Sequence, residues 1–182
     1  MRVVGLDLAG SPKNPTGYCI LDYDDRKTVR VGVLKGDDEI VALVKSAGPK
    51  LVAIDAPLTY AGVRRNCDEI LREHGAIPAT MRGMETLAFR GVSLSKRLNA
   101  EGFETIEVFS KGTAKILGVF DKDDFRVQKN LMALGIEGDM GGRILSRDEL
   151  DAILCALTAL LHILGQTRTI GDEGGRVVVP DA

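Results

Sequence analysis

Apolar residues fall in short runs separated by polar, glycine-rich turns, and the spacing inside each run predicts its element. Residues 2–9 form an apolar strand followed by the turn "AGSPKNPTG". "YCILDYD" reads as a second strand and "TVRVGVLK" as a third with period-two alternation, so the first 35 residues predict an antiparallel meander. "DDEIVALVKSAG" sets Ile40, Leu43 and Val44 on one helical face, with acids at its start and Gly48 at its end. "KLVAIDAPL" is apolar nearly throughout, the pattern of a parallel strand covered on both faces.

The stretch from 60 to 100 is polar and helical. "NCDEILREHG" offers a cap at Asn66 and a stop at Gly75, and "METLAFRGVSLSKRLNAEG" lines up Leu87, Leu94 and Leu98. "FETIEVFS" predicts a fifth strand, and the irregular segment after it predicts one or two helices. "SRDELDAILCALTALLHILG" predicts a long helix starting near Ser146 or Asp148 and stopping at Gly165, with "RVVVPDA" as a short terminal strand. No repeat, low-complexity tract or linker interrupts the order. The expectation is one α/β domain over residues 1–182 with a mixed central sheet of five strands or slightly more, flanked by helices and joined by right-handed crossovers. Insertions are expected at residues 60–100 and 111–146.

Two of the apolar strands carry a carboxylate: Asp7 in "VVGLDLAGS" and Asp55 in "LVAIDAPLT". Burying an isolated carboxylate costs several kcal/mol or changes its protonation state unless something pairs with it. The long helix is apolar on nearly all sides and so is largely buried, yet Asp148 and Asp151 share a face of its first turns. Glu107 ends the fifth strand. If strands one and four pair in parallel, Asp7 and Asp55 stand side by side. No lysine or arginine flanks either in its strand, which makes a divalent cation the economical partner, and an all-oxygen donor set suits Mg²⁺ or Mn²⁺. Asp7, Asp55 and Asp151 are the expected metal ligands, with Glu107 and Asp148 completing or tuning a catalytic site. Simpler accounts compete: a strand-end turn at Gly10, an Asx turn where Asp55 precedes Ala-Pro, and dipole compensation for Asp148 and Glu149. Glu149 is expected on the solvated helix surface.

Composition narrows the classes. A net charge of −2 excludes a global positive field, so nucleic acid would need a local patch. Residues 61–98 supply one, with a net charge of +3. Arg64 and Arg65, then Lys111 and Lys115, and Lys13 in the first turn are the expected contacts to substrate phosphate. The first turn lacks the G-x-x-x-x-G-K-[ST] pattern and joins strand to strand, so it is not a P-loop. No apolar run reaches the roughly 18 residues needed to span a bilayer. Cys19, Cys67 and Cys155 are odd in number and far apart, which favours reduced thiols and a cytoplasmic location over disulfides or zinc. Apolar helix positions leave room for a homodimer, though no heptad seam specifies one.

The carboxylate arrangement resembles the ribonuclease H-like fold, and "RDELDA" is similar to the D-x-x-D-A helix start of RuvC-type Holliday-junction resolvases at Asp148 and Asp151. "GLDLAGS", "AIDAPL", "RNCDEILREHG", "RGVSLSKRL", "IEVFSKGTAKILG" and "DELDAILCALTA" resemble domain-of-unknown-function family 429, predicted nucleases of that fold, over nearly the whole chain. The resemblance implies a metal-dependent nuclease that hydrolyses DNA or RNA by a two-metal carboxylate mechanism, leaving a 3′-hydroxyl and a 5′-phosphate. The chain departs at "EVFS", where an aromatic-proline pair is expected after the Glu, and this favours an alternative: a catalytically inactive nucleic-acid-binding module. "GLDLAGS" also resembles the first strand of actin-like ATPases and sugar kinases, but a phosphotransferase of that kind needs two such domains.

Overall fold

In the computed structural model, which describes residues 1–181, the meander forms as β1 (Arg2–Asp7), β2 (Thr16–Tyr23) and β3 (Lys27–Leu34). Helix α1 (Gly36–Ala47) ends at Gly48 in the left-handed conformation and leads into β4 (Val52–Ile54), which pairs in parallel with β1. Helices α2 (Asn66–Ile70) and α3 (Met84–Ala100) precede β5 (Thr105–Glu107). The connection to the last long helix contains α4 (Ser110–Ile116), α5 (Asp124–Ala133) and the strand β6 (Ile136–Gly138). Helix α6 (Arg147–Ile163) and the hairpin β7 (Thr167–Asp172) and β8 (Gly175–Pro180) finish the chain.

The central sheet has six strands in the order β5-β4-β1-β2-β3-β6, with β4 and β5 parallel to β1 and β6 parallel to β3. The sixth strand falls inside the segment expected to be irregular. Its three residues are too few for an alternation signal, and it exists because Ile136 and Gly138 pair with Lys27 and Val29. The terminal "RVVVP" strand is β8, which pairs with β7 as a separate two-stranded sheet. Strand β7 went unpredicted because Thr167–Asp172 is polar and mostly exposed. Asn66, read as a cap, is the first helical residue, and Arg65 precedes it in extended conformation.

Period-two alternation divides the core across the sheet. Val3, Cys19, Leu21 and Ala53 face α6, whereas Val4, Leu6, Val52 and Ile54 pack with α1 and α3. Both faces of β1 and β4 are thus covered, as their unbroken hydrophobicity predicts. The 60–100 stretch divides in function: α2 and the turn that follows it pack with the hairpin through Cys67 and Leu71, while α3 supplies Leu94 and Leu98 to the main core.

Helix α6 lies unusually close to β1 and β2. A Cβ built on Gly5 would fall inside the van der Waals envelope of the Ala152 carbonyl and the Ala156 nitrogen. One on Gly17 would strike the Asp148 carbonyl. Both positions need the absence of a side chain for helix–sheet approach. Gly5→Ala and Gly17→Ala should each destabilise the protein by about 1–3 kcal/mol or more, as overpacking does. Chemical denaturation is the check, with Gly141→Ala as a control that should cost little, since nothing lies within 4 Å of its added Cβ.

Candidate functional site

The alternation that sorts the core also places the carboxylates. Asp7 follows Val3 and Gly5 on the α6 side of β1, and Asp55 follows Ala53 on the α6 side of β4. Leu6 pairs in register with Ile54, and the Asp55 N–H donates to the Leu6 carbonyl at 2.9 Å, so the two acids end adjacent parallel strands side by side. From above, α6 brings the other two. Asp7 pairs with Gly17, and it is over Gly17 that the backbone of Asp148 sits; Asp151 follows one turn later. Four of the five expected acids therefore converge.

Their electrostatics follow from burial. Asp7 is pushed from 3.8 up to about 9, first by loss of water and then by the negative charges of Asp55, Asp151 and Asp148. Burial likewise raises Asp55, partly offset by the Ser110 N–H, which donates to its Oδ2 at 3.1 Å. Asp151 rises to about 7, driven by burial and by Asp55, with Arg147 acting in the opposite direction. The sequence reading missed both compensating groups. Arg147 stands four residues before Asp151 on the same helix, a spacing that could have revealed it. The Ser110 amide carries no sequence signal.

Asp7, Asp55, Asp148 and Asp151 form a hard, all-oxygen donor set, and at Asp151 the push from Asp55 outweighs the pull of Arg147, which suits a divalent cation. Among the described residues no three carboxylate, thiol or imidazole groups stand close enough, as placed, to enclose an ion. A Mg²⁺ site does not require that: Mg²⁺ keeps several waters and binds through one or two carboxylates together with substrate phosphates. The donor chemistry fits.

Glu107 lies elsewhere. It pairs in register with Ile54, so it leaves the sheet on the face opposite Asp55. There it accepts from the Arg65 guanidinium at 2.8 Å and from the Leu58 N–H at 2.8 Å. Burial raises it to about 7 against the pull of Arg65. Arg65, expected to meet substrate, is 4% exposed, and its nitrogens are committed to Asp68, Glu107 and the Thr59 carbonyl. This placement does not fit a phosphate contact; the group joins α2 to β5. Asp68 extends the connection by accepting from the Ala79 N–H at 3.0 Å.

The other cations are distributed unevenly. Arg64 is exposed beside Glu69, and Lys13 is exposed in the first turn. Lys115 donates to the His74 carbonyl at 2.8 Å. Lys111 is exposed on α4 between the surroundings of Asp55 and those of Asp151. Arg90, one of the basic residues of the 61–98 patch, is buried, donates to the Ala9 carbonyl at 2.5 Å and pairs with Asp37 at 2.8 Å, which holds the turn after Asp7. Glu149, expected in solvent, is buried: it closes a capping box with Ser146 and pairs with Arg143, which lowers it to about 2.

With the sheet order, the two strand-end acids and the D-x-x-D helix in place, comparison with solved structures is decisive for the architecture. The fold is ribonuclease H-like. Thermus thermophilus RuvC superposes with a TM-score of 0.55 and 14% identity, covering 91% of this chain and 97% of that one. T. thermophilus RuvC in complex with Holliday junction substrate gives 0.60 and 11%, covering 97% and 98%. The yeast mitochondrial Holliday junction resolvase gives 0.50 and 13%, covering 85% and 75%. No protein-family model and no curated protein matches the chain.

Two outcomes follow. The folded-state value of Asp7 exceeds its ordinary 3.8, so the metal-free fold binds that proton more tightly than the unfolded chain does. Stability from this group is therefore greatest below about pH 4 and falls as pH rises towards about 9. In EDTA, Asp7→Asn should match wild type near pH 4 and melt several degrees higher near pH 9; a difference independent of pH would contradict the placement. Arg65→Met leaves two buried carboxylates unpaired and should cost about 3–5 kcal/mol in a denaturant titration.

Proposed function

We propose that this chain is a metal-dependent nuclease that hydrolyses phosphodiester bonds in DNA or RNA. The observation that carries the reading is the convergence of Asp7, Asp55, Asp148 and Asp151 at the strand ends beneath α6, where burial first and the neighbouring charges second raise Asp7 to about 9. Kinship with the predicted nucleases of family 429, drawn from the sequence motifs, belongs to the same reading. So does nucleic acid as the partner: one of the similar structures is a complex with a Holliday junction substrate. No helix among the described residues is long and apolar enough to cross a membrane. The buried free thiols of Cys19, Cys67 and Cys155 suit a reducing, cytoplasmic setting.

Asp7, Asp55 and Asp151 would hold Mg²⁺ or Mn²⁺, which when bound polarises the phosphate and makes an attacking water more acidic. The chain's own residues do the rest. The paired ends of β1 and β4 fix Asp7 and Asp55 relative to each other, and the Ser110 amide sets one Asp55 oxygen. Asp148 tunes the local charge from the first turn of α6. Arg147, itself paired with Asp124, limits the repulsion at Asp151. Lys111 and Arg64 are exposed and available to backbone phosphate. Glu107 maintains the β5–α2 connection and takes no metal.

A divalent ion at 100 times its dissociation constant stabilises the fold by about 2.7 kcal/mol. The wild type should therefore melt several degrees higher with Mn²⁺ than with EDTA, and Asp7→Asn should lose most of that shift along with cleavage of single-stranded, duplex and branched substrates. Nucleic-acid binding with neither a metal shift nor cleavage would favour the inactive binding module instead.

A further inference from the structure

Beside Asp55, a cavity of about 190 Å³ lies over the ends of β4 and β5, roofed by the chain between α2 and α3. We propose that this cavity receives one base of the nucleic acid, lifted out of its stack next to the phosphodiester held at the carboxylates; the proposal rests on the nuclease reading above.

Position, size and chemistry all point to this occupant. Ligands of open α/β sheets bind at the carboxyl ends of parallel strands, and Asp55 and Glu107 to Phe109, at the ends of β4 and β5, line the cavity. Drug-sized ligands use clefts of roughly 300–1,000 Å³. A dry cavity of about 150 Å³ takes one benzene. A volume of 190 Å³ thus accommodates a single heterocycle and not a whole nucleotide. Leu71, Ile77, Met84, Leu87 and Phe109 give apolar surface for the faces of a ring. Asp55, Asp68 and Glu107 add carboxylates to the lining; Arg65 is already paired with Asp68 and Glu107, and a carboxylate oxygen can accept a further hydrogen bond from a base's amino group. A sugar phosphate alone has no use for apolar walls. Lys111 supplies the link, since it lines both this cavity and the cleft containing Arg147 and Asp151. A phosphate beside Lys111 would be continuous with a base on one side and the carboxylates on the other.

The test is a methyl-NMR titration of the full chain with cytidine 5′-monophosphate, cytidine and ribose 5-phosphate at millimolar concentration in EDTA. The Ile77 and Met84 methyl signals should shift saturably with the two cytidine ligands and not with ribose 5-phosphate. Equal response to ribose 5-phosphate, or no response to any, would overturn the base pocket. Met84→Trp fills the cavity and should weaken cytidine binding about tenfold or more, the scale of losing one base's stacking. Ile77 is 51% exposed, so Ile77→Trp tests the same point where folding is least at risk. Unchanged affinity in both folded variants counts against the pocket. Lys111→Ala should weaken the monophosphate and spare cytidine; an equal effect on both would overturn the assignment of the phosphate. Cleavage assayed in parallel on the wild type reports on the nuclease reading alone. Cleavage without base-dependent shifts removes the pocket, whereas shifts without cleavage support it and count against the nuclease.

Discussion

The closeness of α6 to β1 and β2 is the constraint on which the site depends. Gly5 and Gly17 have no side chains where the backbone of α6 passes, at Ala152, Ala156 and Asp148. That approach brings Asp148 and Asp151 down to the strand ends that carry Asp7 and Asp55. A helix one side-chain thickness higher would leave each acid nearer water and farther from its neighbours. The burial and the repulsion that together raise Asp7 to about 9 would then both relax. The geometry accepts an electrostatic cost at the center of an otherwise apolar interface, one that the divalent cation of the proposed function would offset.

A second, separate polar group supports the opposite face. Arg65, Asp68 and Glu107 are all buried, and together they connect α2, the Ala79 backbone and β5. Arg65 gives both carboxylates a direct cationic partner, which is why they behave as structure while the α6-side acids do not. One strand register separates the two outcomes: Asp55 and Glu107 end neighbouring strands but leave the sheet on opposite faces.

Much of this was legible in the sequence. The strands of the meander, α1, α3 and α6 carry periodicity, β4 and β5 sit in apolar runs, and an acid inside an apolar strand identifies Asp7 and Asp55 without knowledge of the fold. What was illegible depends on tertiary pairing. Strand β6 is three residues paired to β3, and β7 is polar and held by its partner β8. The side of the sheet taken by Glu107 follows from the register of β5 on β4, which no single strand encodes. Arg65 and Glu149 look like surface residues by type, yet each is buried because its partners are supplied from distant chain or from a cap.

Anomalous diffraction from crystals soaked in Mn²⁺ tests the central claim most directly. Manganese should appear among Asp7, Asp55 and Asp151, with none at Glu107. Manganese at Glu107, or none near Asp7 at saturating concentration, would contradict the account.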